Sequence, residues 1–162
     1  MKVERCTNCG SAKLPVVDYP LKAKLGGVAF EASVRAQQCQ NCGEAFLSGQ
    51  VLKSFEISAA LELARAGVTV PEGLQFMRKV VGLRAIELAE LLELTPEHVS
   101  RMENGRASAD RRTVALLAAM VEDKAAGATR TVDQLRALAR PRRVTRRVQI
   151  PAAGAAKTSR RR

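Results

Sequence analysis

Four cysteines form two nearly repeated motifs near the start of the chain. Cys6 and Cys9 frame the first motif, Cys-Thr-Asn-Cys-Gly, and Cys39 and Cys42 frame the second, Cys-Gln-Asn-Cys-Gly. Each motif places two thiolates on one tight turn, and four thiolates suit a closed tetrahedral Zn²⁺ site. The spacing therefore predicts one structural zinc ion per chain, with these four cysteines as its ligands.

A redox-active dithiol is the alternative interpretation of these cysteines. A thioredoxin-like Cys-x-x-Cys belongs near a βαβ pattern and not on two knuckles. The segment between the two pairs predicts β-strands. Apolar and polar residues alternate over 28–37, and Leu21, Ala23 and Leu25 alternate with lysines before Gly26-Gly27, which is typical of a hairpin turn. A core this small needs an additional cross-link such as a bound metal ion, so metal binding is expected to be coupled to folding. No histidine or acid replaces a thiolate, so no catalytic metal position, and no enzyme, is predicted.

A second informative stretch covers residues 95–106. Thr95 is a good helix N-cap and Pro96 suits the first helical position. Val99 and Met102 are three residues apart and predict a buried face. The polar side chains on the other sides are free for outside contacts: Glu97, His98 and Arg101. Together with the apolar helix before it, this stretch looks like a helix-turn-helix, whose second helix enters the DNA major groove.

The remaining elements position these two candidate sites. A helix is predicted from Ser48 to Ala66, with Gly67 ending it, and five more helices follow after residue 71. The predicted fold class is α+β: a small zinc-clipped β-hairpin domain, a connecting helix, an all-α five-helix helix-turn-helix domain and a disordered basic tail. The predicted boundaries are 1–48 for the zinc domain, 49–71 for the connecting helix and linker, 72–139 for the DNA-binding domain and 140–162 for the tail.

The net charge of +11 is concentrated at one end of the chain. Residues 140–162 hold eight Arg, one Lys and no acid, whereas the other 139 residues hold 18 basic and 16 acidic side chains. Within 72–126 there are eight basic and nine acidic side chains. DNA binding by this region must therefore depend on locally placed residues. The tail, which has little to bury, is either a solubilising appendage or a nonspecific phosphate-binding arm.

The start of the chain contains no apolar segment like that of a signal peptide, and no transmembrane run follows. These features predict a cytoplasmic, nucleoid-associated protein with no membrane partner. In a reducing compartment, cysteine pairs bind metal more often than they form structural disulfides.

Short motifs in the second half resemble the XRE/Cro-type helix-turn-helix of phage repressors. They are Gly82-Leu83, Leu-Ala-Glu-Leu-Leu at 88–92, Thr95, Val99-Ser100-Arg101 and Glu103-Asn104-Gly105. The cysteine module in front, followed by a helix, is similar to the MqsA antitoxins with their YgiT-type zinc finger. The resemblance covers about residues 3–139. It implies a zinc domain that blocks a small ribonuclease toxin, and a dimeric helix-turn-helix that binds operator DNA and represses its own operon.

The resemblance also implies roles for single residues. Arg101 matches a base-reading Arg, which can contact guanine O6 and N7. Glu97 falls where relatives use Gln or Asn to read a base, His98 is a further candidate, and Asn104 matches a phosphate-contacting Asn. Nearby arginines that can also meet phosphates are Arg106, Arg111 and Arg112.

Arg78 and Glu103 match a buried ion pair of phage repressors and are assigned a structural role. The basic tail is a departure from the family pattern. It leaves open a second interpretation, a stand-alone zinc-containing transcription regulator with no toxin partner.

Overall fold

The computed structural model describes residues 3–139, which form a three-stranded antiparallel sheet followed by six helices. The strands are β1 (Val16–Leu25), β2 (Val28–Gln38) and β3 (Ala45–Phe46), and the helices are α1 (Gly49–Arg65), α2 (Pro71–Val81), α3 (Ala85–Leu91), α4 (Pro96–Glu103), α5 (Arg111–Ala125) and α6 (Arg130–Ala139). The predicted α+β class is confirmed. The prediction of a disordered tail over 140–162 lies outside the described residues.

Strands β1 and β2 form the predicted hairpin, with Leu25 paired to Val28 across the turn. The turn residues Gly26 and Gly27 have φ of +56° and +80°, as a two-residue turn with two left-handed positions requires. The sheet is larger than the prediction, because β1 begins at Val16 and β3 pairs with the end of β2. Pro20 lies within β1, which is an edge strand and therefore tolerates a missing amide hydrogen.

The inner face of the sheet is only half-buried. Phe30, Ala32 and Val34 lie on this face as the alternation predicts, but all three are partly exposed. Ala36 is the one strand residue with a buried side chain, and Val28, expected on the inner face, is 41% exposed. The sheet therefore has almost no apolar core of its own.

The helices share a close-packed core. Its largest fully buried side chains include Met77 on α2, Val99 on α4 and Leu117 on α5. Helix α1 contributes Ala60 and Leu63 to the same core. The segment predicted as a connecting helix is thus also a structural part of the helical region.

Two of the predicted helix starts are confirmed by hydrogen bonds to the capping side chains. Ser48 Oγ accepts a bond from the Val51 amide at the start of α1. Thr95 Oγ1 accepts one from the His98 amide at the start of α4. These caps satisfy amides that have no partner within their own helix.

Candidate metal site and candidate DNA-binding surface

The two cysteine motifs fold into two equivalent knuckles. In the first, the Cys6 amide donates to the Ser11 carbonyl at 2.8 Å, and the Gly10 amide donates to the Cys6 carbonyl at 2.8 Å. In the second knuckle, the Cys39 amide donates to the Glu44 carbonyl at 2.8 Å, and the Gly43 amide donates to the Cys39 carbonyl at 2.9 Å. The two glycines have φ of +74° and +78°, which explains why glycine follows the second cysteine of each motif.

The knuckles bring all four cysteine sulfurs to within 4.8 Å of one another. The closest pairs join the two knuckles, with 3.5 Å between the Sγ atoms of Cys6 and Cys42 and 3.5 Å between those of Cys9 and Cys39. Four thiolates around Zn²⁺ at about 2.3 Å would lie about 3.8 Å apart. The arrangement is therefore compatible with one metal ion at the end of the sheet opposite the hairpin turn.

The environment of the sulfurs separates their pKa values. A hydrogen bond from the Asn41 side chain, helped by the Ser11 backbone, lowers the pKa of Cys9 to about 6. The Glu44 backbone lowers the pKa of Cys42, but desolvation and the three neighbouring thiols outweigh it and raise that pKa to about 12. Four thiols this close cannot all ionise without a cation. A bound metal ion would deprotonate its thiol ligands and remove this conflict.

Helix α4 presents a buried face and an exposed polar face. Val99 and Met102 are 0% and 3% exposed, whereas Glu97 and Arg101 are exposed. A four-residue turn joins α3 to α4, and it holds Glu93, the one non-glycine residue of the described chain with a positive φ (55°). This tight connection fixes α4 against α3.

The other predicted DNA-contacting residues differ in their surroundings. Arg101 Nη2 lies 3.4 Å from His98 Nδ1, so these two side chains meet on the surface of α4. Asn104 Nδ2 donates to the Ser100 carbonyl at 2.7 Å and lies 3.3 Å from Ser100 Oγ. To donate to a phosphate, the Asn104 amide would have to turn away from its own helix. Arg106 is exposed in the loop after α4, as are Arg111 and Arg112 in the first turn of α5.

Arg78 and Glu103 form a bidentate ion pair that joins α2 to the end of α4. The two contacts are 2.5 Å between Arg78 Nε and Glu103 Oε1 and 2.7 Å between Arg78 Nη2 and Glu103 Oε2. The two side chains are 9% and 6% exposed. Arg78 Nη1 also donates to the Leu83 carbonyl at 2.7 Å. Among the described residues, no buried side-chain nitrogen or oxygen lacks a hydrogen-bond partner.

A cleft that the sequence did not indicate lies between β2 and the first half of α1. Its volume is about 500 Å³, and Ala32, Val34, Val51 and Phe55 line its apolar part. Ser48, Ser54 and Arg35 are among its polar lining residues. The cleft exists because α1 covers only part of the inner face of the sheet, a packing detail that has no local signal in the sequence.

No protein-family model, curated protein or solved structure significantly matches this chain. Over residues 3–139, no helix combines the length and the apolar character that crossing a bilayer requires. The family resemblance thus depends on the motifs quoted above.

Proposed function

We propose that the chain is a sequence-specific DNA-binding repressor that also serves as an antitoxin. The observation that carries the DNA-binding part is the way in which α4 packs against the other helices. Its inner face is buried through Val99 and Met102, its end is fixed by Glu103, and its opposite face is polar and exposed. A recognition helix that enters the major groove must be short, held on its inner face and preceded by a tight turn, and α4 has these features.

Residues on the exposed face of α4 have the spacing of a DNA-reading surface. Glu97 and Arg101 are four apart and Arg101 and Asn104 are three apart, so they lie along one side of the helix. We propose that Arg101 contacts guanine and that Glu97 contacts cytosine. The N4 amino group of cytosine can donate a hydrogen bond to the Glu97 carboxylate. Because residues 72–126 carry one more acid than base, affinity would depend on these local contacts and on phosphate contacts from Arg106 and Arg111.

We further propose that the four-cysteine site holds zinc. A closed set of four thiolates is a common structural zinc site, and the sheet beside it has almost no buried apolar side chains. Metal content measured by mass spectrometry of the native protein should be close to one zinc per chain. Iron and labile sulfide in place of zinc would indicate an iron–sulfur cluster instead.

The antitoxin part of the proposal is supported by the resemblance and by the surface of the sheet. The half-buried inner face and the cleft beside α1 offer apolar surface in the region proposed to bind the toxin. In this proposal the partner is a small toxin encoded beside this gene, and the repressor is a homodimer on a two-fold symmetric operator.

Growth rescue tests the antitoxin part. Co-expression of the wild-type chain with the small neighbouring reading frame should restore growth that the neighbour alone arrests. Arg101→Ala should rescue equally well, because it alters only the proposed DNA surface, whereas a Cys6→Ser, Cys39→Ser double variant should not rescue. A neighbour that is harmless alone, or that still arrests growth beside the wild-type chain, would contradict the antitoxin assignment.

The second candidate is a stand-alone transcription regulator with no toxin partner. The observation that favours it is the 23-residue basic segment at 140–162, which departs from the antitoxin pattern. Specific binding to its own upstream DNA, together with failed growth rescue, would favour this candidate over the antitoxin.

A further inference from the structure

The turn of the β-hairpin is packed directly against helix α2. Gly26 is buried in this contact, whereas its neighbour Gly27 is exposed. A Cβ atom on Gly26 would lie 2.8 Å from Gly73 Cα and 3.0 Å from Leu63 Cδ1. A Cβ on Gly27 would meet no atom within 4 Å. The hairpin therefore meets the helices through backbone atoms at a position where only glycine fits.

The first turn of α2 lies between the hairpin and the end of α4. Gly73 belongs to this turn, and Pro71 is its first residue. A Cβ on Gly105, two residues beyond α4, would lie 3.3 Å from Pro71 Cγ. Further along α2, Arg78 holds Glu103 at the last position of α4. The first turn of α2 thus contacts the hairpin, and α2 also contacts the end of α4, through Pro71 beside Gly105 and through Arg78 paired with Glu103.

We propose that the contact between Gly26 and Gly73 is a joint that couples the sheet to helix α4, so that a displacement of the hairpin changes DNA affinity. This inference rests on the proposed function, in which α4 binds DNA. Backbone atoms in contact cannot move aside by a change of rotamer, and packed interiors transmit displacements instead of absorbing them. A shift of the hairpin must therefore move the first turn of α2 or break the contact. The cysteine knuckles lie at the other end of the same strands, so the sheet connects the candidate metal site to the first turn of α2.

Two alanine substitutions in the same turn test the joint. Gly26→Ala and Gly27→Ala both place alanine at a positive φ, so both strain the turn, but only Gly26→Ala pushes on Gly73. Amide hydrogen exchange of the full metal-bound chain should become faster over 71–74 and over 99–105 in Gly26→Ala. Affinity for the DNA upstream of its own gene should fall about fivefold or more, the range of coupling between sites. Gly27→Ala should leave both readouts close to the wild type.

Two results would overturn the joint. Equal effects of both substitutions would show that turn strain alone matters, and faster exchange that stops at the first turn of α2 would show that the contact is only local. If Gly26→Ala does not fold, native-state hydrogen exchange of the metal-bound wild type takes its place. The amides of residues 71–74 should then open with the same free energy as those of the hairpin turn, and independent opening of the two segments would overturn the joint. Absence of specific DNA binding by the wild type would refute the proposed function, and hydrogen exchange would still decide whether the joint exists.

Discussion

The sheet and the helices of this chain are held together by different means. Of the buried apolar or sulfur-containing side chains, three belong to the segment before α1, Cys6, Ala36 and Cys39, and the others belong to the helices or, in the case of Leu83, to the turn between α2 and α3. The helices share many buried contacts, so no single one decides whether they fold. The sheet has few such contacts: Phe30 packs against the helical core, the hairpin turn contacts α2 through Gly26, and the four sulfurs at the other end are placed to share a metal ion. We therefore expect the strands to open without unfolding of the helical core.

Removal of the proposed metal ion should have the largest effect, because the sheet has almost no buried apolar side chains of its own and metal binding would be coupled to its folding. After chelation, amide protons of β1 and β2 should exchange rapidly, while those of Leu117 and Val121 in α5 stay protected. Two-dimensional NMR with hydrogen exchange measures both regions in one sample. Protected strands in the metal-free protein would contradict the difference between the two regions.

Loss of the buried ion pair should be among the most damaging single substitutions in the helical region. Glu103→Ala leaves Arg78 buried without its counter-charge, which costs about 3–5 kcal/mol of unfolding free energy. Glu62→Ala is the matched control, because it breaks an exposed pair with Arg65 that is worth at most about 1 kcal/mol. Urea unfolding followed by helical circular dichroism compares the two. Similar losses for both variants would mean that the pair is not a structural anchor.

Deletion of residues 140–162 separates the nonspecific electrostatic contribution to DNA affinity from sequence-specific recognition. If these residues contact phosphates, the slope of log affinity against log salt should flatten by about 0.9 for each lost contact. The preference for operator over unrelated DNA should remain, because that preference is assigned to α4. An unchanged slope would identify the segment as a passive appendage.

Acidification should weaken the junction between α5 and α6. The Thr131 amide donates to Asp123 Oδ2 at 2.6 Å, and this bond, with the Thr131 hydroxyl, lowers the pKa of Asp123. A lowered folded-state pKa means that the stabilisation is present above the ordinary carboxyl range and is lost as pH falls through the folded value. Asp123→Asn should therefore be less stable than the wild type at neutral pH but not at strongly acidic pH, as thermal unfolding at several pH values can measure. A stability difference independent of pH would contradict this role.

Local signals in the sequence predicted much of the fold. Capping residues such as Ser48 and Thr95 and the Gly26-Gly27 turn set element ends that the structure has, because each acts within a few residues. The first half of β1 was missed because Pro20 is usually evidence against a strand, and β3 was missed because two residues carry no periodicity. The cysteine cluster was predictable because the repeated motif itself specifies the geometry.

Contacts between distant parts of the chain were not predictable from local signals. The approach of Gly26 to Gly73 joins a strand turn to a helix, and neither residue has a local pattern that indicates the other. The participation of α1 in the helical core was missed for the same reason, since its Ala60 and Leu63 resemble any apolar helix face. The pairing of Arg78 with Glu103 was expected only through the family resemblance.

The most direct test of the central claim, that α4 reads DNA sequence through Arg101, is affinity measured for every single-base change in the operator. We predict that Arg101→Ala weakens binding to the intact operator by about 1–3 kcal/mol and relaxes the preference at one position of each half-site. The two relaxed positions should lie about one helical turn apart, 34–36 Å, if the protein binds as a symmetric dimer. A uniform loss on all sequences, with every base preference retained, would contradict the assignment and make Arg101 a phosphate contact.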